Sequence, residues 1–399
     1  MRDPSTSSTT GWRRTSIALS LAILAGCSEP LPADEIEAPG QAEEALAIAV
    51  TRNAIAYDFA QRDNLPHGVA GDERFVFTAE PLNGRVVALD RFTGREVGVL
   101  PPPARGWLLP FAMHITPEGT LVVLDPGGFP APGVLTEPEL HEYAYSWNRR
   151  TRRLDATLVR TISLAGYPIV FPEDFEITDE GLWVISEAGI GALWVITPEG
   201  SVQPGVFPAG FAPADMIPAL SGCPFPDGVV VDDVPLQLAG GFAPGVGSLE
   251  SRDGQLYFGN TCTGGLWGIP IASLTDARAP HERAADIVRV VERPEGVLAE
   301  ALKGLNFREG EDWLYALDPF QLQVIRIDVE TGEREVVLRD DVLLNFPISS
   351  TFLPPVLGIS PLVVVSDEEH RMAALNVAIP EDIFERPFLI TKLYVRRER

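Results

Sequence analysis

The chain has 399 residues, 45% of them apolar and 22% charged, which suits two compact domains or one large all-β closure and excludes disorder over its bulk. Its 56 acidic against 31 basic side chains give a net charge of −25, so phosphate backbones are repelled and no nucleic-acid partner is expected. Gly and Pro, at 36 each, supply turn chemistry for many short strands and argue against a helical bundle.

The first segment reads as an address. Arg13 and Arg14 precede an apolar run over 17–24, which ends in Ala25-Gly26-Cys27. A basic start, a short apolar stretch and a small-residue site describe a secretory signal over 1–26, too short to span a bilayer. Leu24-Ala25-Gly26-Cys27 resembles a bacterial lipobox. That resemblance implies cleavage before Cys27 and acylation of Cys27 with palmitate-type chains. Ser28 after it implies sorting to the outer membrane. The processed chain of 373 residues would carry about −27 and touch the membrane through lipid alone. Residues 27–45, acidic and Pro-bearing, read as a flexible tether, and 46–399 as a single domain.

Six short apolar strands then recur, anchored at Val76, Val122, Trp183, Tyr257, Tyr315 and Val363, with spacings of 46, 61, 74, 58 and 48. A second strand is expected close behind most of them, at 85–89, 191–196, 265–271, 323–328 and 371–375; in the second repeat it is delayed to 141–147 by an inserted loop. Asp90-Arg91-Phe92-Thr93-Gly94 and Asp328-Val329-Glu330-Thr331-Gly332 close hairpins, Asp bonding forward to its own backbone and Gly taking positive φ. The period and strand density predict an all-β, six-bladed β-propeller, with seven blades the alternative if the long stretch at 201–245 hides a degenerate one. Either 45–56 or 388–395 is expected to complete the last blade. The 201–245 stretch is expected to be an inserted loop over the channel mouth. In an oxidising envelope Cys223 and Cys262 most simply pair with each other; two free thiols or a redox pair are the alternatives.

The run from Gly247-Ser248-Leu249 through Gly259-Asn260-Thr261, followed by Gly264-Gly265-Leu266-Trp267-Gly268, resembles the senescence marker protein/gluconolactonase and strictosidine-synthase-like group. Pro66-His67-Gly68 and Pro172-Glu173-Asp174 resemble its blade starts and those of the related NHL propellers. The likeness spans about 60–375 and implies a six-bladed propeller. It also implies that channel chemistry sits where innermost strands begin, which here selects His67, Phe111, His114, Glu173, Asp174, Ser248, Lys303 and Ser349. Lactonases of the group hold a divalent cation there on Glu, Asn and Asp. The matching places carry His67, Val246 and Lys303, and neither Val nor an ammonium can ligate a cation.

Two functions from different classes remain. One is a non-catalytic envelope propeller that binds a small ligand or an envelope protein through the channel mouth. The other is a lactone or ester hydrolase with one divalent cation, calcium or zinc, on a rebuilt site of His67, Glu173 and Asp174. The alternative to that site is an ion pair of Lys303 with Glu173 or Asp174. Acid and amide residues at Glu80, Asp125, Glu187, Asn260, Asp318 and Asp367 are expected to cap hairpin turns. Trp183, Trp194, Trp267 and Trp313 are expected between blades, and His141, His281 and His370 on loops or the surface.

Overall fold

The computed structural model describes residues 51–57 (backbone only), 65–129, 136–212, 214–223, 225–238, 244–385 and 388–395. Cys27, the signal segment and the tether therefore lie outside the described residues. Among the described residues no helix is long and apolar enough to cross a membrane.

Six four-stranded antiparallel sheets follow one another along the chain, each running from an inner to an outer strand. The inner strands are Val69–Gly71, Met113–Ile115, Pro172–Ile177, Val246–Arg252, Lys303–Phe307 and Pro347–Phe352. Each inner strand packs against the next, and the last returns to the first, so the sheets form the blades of a closed propeller. Blade six uses both segments proposed for closure: Phe388–Tyr394 is its third strand and Thr51–Tyr57 its outermost. The register runs from Thr51 opposite Tyr394 to Tyr57 opposite Phe388, so the two ends of the domain are held by one ladder of backbone bonds.

A blade lies between two others, so both of its faces are covered. This is why second strands such as Leu121–Asp125, Trp183–Glu187 and Leu362–Ser366 are buried at every residue and read as unbroken apolar runs rather than alternating ones. One apolar cluster fills each of the six interfaces. Trp183 and Trp194 belong to the one between blades two and three. Trp267 and Trp313 are only partly buried and lie under the guanidinium groups of Arg289 and Arg326, at 4.0 and 4.3 Å.

The turn residues behave as their chemistry dictates. Asp90 Oδ1 accepts the Phe92 and Thr93 N–H groups, and Gly94 takes φ of 69°. Glu187 accepts four backbone N–H groups through its two oxygens, and Asp125 three. Asn260 Oδ1 accepts Cys262 and Thr263.

Four expectations need correction. The insertion expected at 201–245 begins later, because Val202–Val206 is the outer strand of blade three. Among its described residues it holds no seventh blade, only the hairpin Val230–Val231 with Val234–Pro235. The second strand expected at 371–375 is absent: Glu369–Arg371 is a 3-10 turn at the start of an insertion in blade six. His141 and His370 are fully buried rather than on loops or the surface, whereas His281 is exposed.

The two insertions meet. The blade three–four hairpin places Val229, Val231 and Leu236 on Phe320, Phe346 and Ile348 of blades five and six. Asn376, fully buried, fastens it: Oδ1 accepts the Gln237 N–H at 3.0 Å, and Nδ2 donates to Pro235 O and His370 O. Arg371 pairs with Asp232 at 2.5 Å. A disulfide between Cys223 and Cys262, with Cα atoms 5.4 Å apart, ties the same insertion to blade four.

Candidate functional site

The inner strands surround a cavity of about 760 Å³ covered by the two insertions. All eight residues selected from the blade starts, His67, Phe111, His114, Glu173, Asp174, Ser248, Lys303 and Ser349, line it. Aromatic walls from Phe111, Phe171, Phe320 and Phe346 alternate with charge, and Leu236, Leu238, Met372 and Leu375 of the insertions form the cover.

Several of these residues stitch neighbouring blades. Ser248 Oγ accepts the Gly304 N–H at 2.8 Å, Ser349 Oγ accepts that of Val69 at 3.2 Å, and Asp174 Oδ2 accepts that of Leu249 at 3.0 Å. Inner strands carry few lateral bonds to the next blade, so such short polar side chains fix the ring where it is narrowest.

The charged side chains sort into two groups. At the mouth, Lys303 Nζ pairs with Glu173 Oε1. Beside it, the His67 ring lies flat on Phe111 with centroids 3.6 Å apart, and its Nε2 is 3.5 Å from Glu369 Oε1. Burial brings the Lys303 ammonium down to about 8, against the pull of Glu369 and Asp367. Burial would raise Glu369, but His67 and Lys303 outweigh it and hold this carboxyl below its usual range. Asp367 is pushed well up by burial and by the adjacent Glu369 charge.

Further along the channel His114 is held between two carboxylates, Nε2 at 3.7 Å from Asp174 Oδ1 and Nδ1 at 3.7 Å from Glu176 Oε2. Burial opposes its charge, yet the bond to Asp174 and the Glu176 charge raise its pKa. Ser251 Oγ donates to Glu176 Oε1 at 2.7 Å. Glu250 is driven well up, by burial first and then by the Glu176 charge.

His67, Glu173 and Asp174 thus go to separate partners: Glu369, Lys303 and His114, respectively. The cation site of the lactonases does not fit either, since Val246 is buried in the inter-blade core and Lys303 is itself a cation. Among the described residues, the donor atoms that do come together belong to His67, Asp367 and Glu369. Glu176, Glu250, Glu369 and His370 were missed from the sequence. Glu176 was accessible, lying two residues beyond Asp174 on the same strand. Glu369 and His370 were hidden by the strand expected in their neighbourhood.

No protein-family model and no curated protein matches the sequence. Among solved structures, a luciferin-regenerating enzyme superposes with a TM-score of 0.52 at 11% identity, over 86% of this chain and 95% of its own. Virginiamycin B lyase from Staphylococcus aureus gives 0.48 at 10%, over 87% and 100%. A gluconolactonase from Xanthomonas campestris gives 0.47 at 13%, over 84% and 86%. At such identities the likeness is one of fold, and the chain is a six-bladed β-propeller similar in architecture to the luciferin-regenerating enzyme.

Proposed function

We propose that the chain is an envelope propeller, lipid-anchored at Cys27, that binds a small polar ligand in its channel beneath the two insertions. The observation that carries this reading is a covered cavity of about 760 Å³ in which His67, Glu173, Lys303 and Glu369 stand among aromatic walls. Of the lining residues, His67, Glu173 and His370 each also keep a buried ring nitrogen or carboxylate oxygen without a hydrogen-bond partner. A covered, largely apolar space with a few convergent polar groups is the usual form of a small-ligand site. The Lys303 ammonium at the mouth is already paired with Glu173, which suits recognition better than activation of a nucleophile.

A lactone or ester hydrolase is the second reading. The His114–Asp174 pair favours it, because an imidazole oriented by a carboxylate is the usual form of a general base. Thermal unfolding of the full chain with a panel of hydroxy acids, sugars and amines, beside a lactone and ester hydrolysis assay, separates the two. Binding predicts a saturable rise in midpoint that Lys303→Met reduces, with no turnover. Turnover abolished by His114→Ala, without any binding-only compound, would overturn the proposal in favour of the hydrolase.

A further inference from the structure

Beside the mouth, His67 meets two carboxylates, Asp367 and Glu369, that the expected cation site does not include. We infer that His67, Asp367 and Glu369 form a site for one transition-metal dication of the Zn²⁺ class, on the seam between blades one and six. One donor atom from each lies within 4.8 Å of the other two. Tetrahedral ligands about 2.1 Å from zinc stand roughly 3.4 Å apart, so small side-chain rotations close the set on an ion.

The local fold presents these groups deliberately. Asp367 follows the second strand of blade six, Leu362–Ser366, and its Oδ1 accepts the Glu369 N–H at 3.1 Å. The chain turns through Glu368, a non-glycine residue with φ of 57°, and so brings the second carboxylate back beside the first. His67 stands directly before the first strand of blade one; its own N–H donates to Ala79 O, and its ring is fixed against Phe111.

Two features point to a missing cation rather than to a capping motif. Asp367 is fully buried, yet its Oδ2 accepts no hydrogen bond, and His67 Nδ1 is likewise unmet. The second is the closeness of two acids: Asp367 and Glu369 lie side by side, and the ammonium of Lys303 is engaged by Glu173. A dication held between these two adjacent acids would give both a counter-charge.

The donor set selects the ion. One imidazole nitrogen and two carboxylate oxygens suit Zn²⁺ or its first-row neighbours, whereas Ca²⁺ takes six to eight oxygens. His67 and Glu369 line the cavity, so the remaining coordination position opens toward the space the ligand would fill. Of the trio expected from the sequence, His67 alone takes part.

The test uses the full chain stripped by a chelator and titrated with Zn²⁺ alone, and separately with Ca²⁺, by calorimetry with elemental analysis of the dialysed protein. One equivalent of zinc is expected, with at least tenfold weaker binding in both His67→Ala and Glu369→Gln and little change in His281→Ala, which removes an exposed histidine. Asp367 also caps its turn, so these two variants, each checked for an unchanged melting profile in chelator, carry the test. Absence of zinc uptake, uptake by either variant as tight as the parent's, or loss only in His281→Ala would overturn the inference. No small-molecule ligand enters the measurement, so its outcome is independent of the binding reading.

Discussion

At Gly68 the backbone leaves no room for a side chain: a Cβ would stand 1.9 Å from the carbonyl oxygen of Phe111. Glycine there lets the first two blades meet beside the channel. Gly68→Ala should force them apart and lower stability by about 1–3 kcal/mol, read as a lower urea midpoint with unchanged far-UV dichroism. His141 gives a pH prediction. Burial, with repulsion from Arg105, outweighs the nearby Asp125 and pushes its pKa down to about 4, although Glu139 Oε2 lies 3.4 Å from Nε2. Between that value and the ordinary 6.5, the unfolded chain binds the proton and the folded chain does not. Stability should therefore fall as pH drops through this window, by up to about 3 kcal/mol, and His141→Gln should remove that part of the loss. A variant with the same acid profile as the parent would contradict the assignment. His141 and His370 were the least legible residues. His141 sits beside Glu142 in a polar-looking segment, and only its pairing between strands places it inside.

The insertions set the second scale. The Cys223–Cys262 bond closes a separation of 39 residues, for which loop entropy gives at most about 4 kcal/mol. Replacing both with Ser should speed proteolysis within 207–245 while the blade strands stay protected; uniform protection would show that the bond does not hold the cover. Asn376→Ala should release the Pro235, Gln237 and His370 contacts together and accelerate amide exchange at Gln237 and Val377. The long break and the cysteine pair were visible in the sequence. The outer strand Val202–Val206 was not, because Pro204 and Gly205 disguise it, and an outermost strand tolerates a proline whose missing N–H faces away from the ladder. The stretch around Arg371 misled for the opposite reason. It is apolar enough for a strand, but Arg371 is drawn down onto Asp232 and the segment joins the cover.

For the whole molecule, blade count and strand positions were legible because covering both faces of every sheet leaves a coarse, repeated apolar signal. Closure was half legible: two segments were expected as alternatives, and the ladder between Thr51–Tyr57 and Phe388–Tyr394 uses both. Deleting residues 1–57 should remove that strand, lower the unfolding midpoint and broaden the transition; an unchanged transition would mean that the ring closes without it. The cavity lining was legible at the blade starts, which chain order alone delivers to the channel, and illegible where the second insertion adds Glu369 and His370. The central claim is that this covered channel holds a small polar ligand. Hydrogen exchange on the full chain, alone and with the compound that raises the melting midpoint most, tests it directly. The account predicts slower exchange in 229–238, in 367–376 and at the starts of the inner strands. Unchanged exchange in those segments with every compound of the panel, or protection confined to the outer strands, would contradict it.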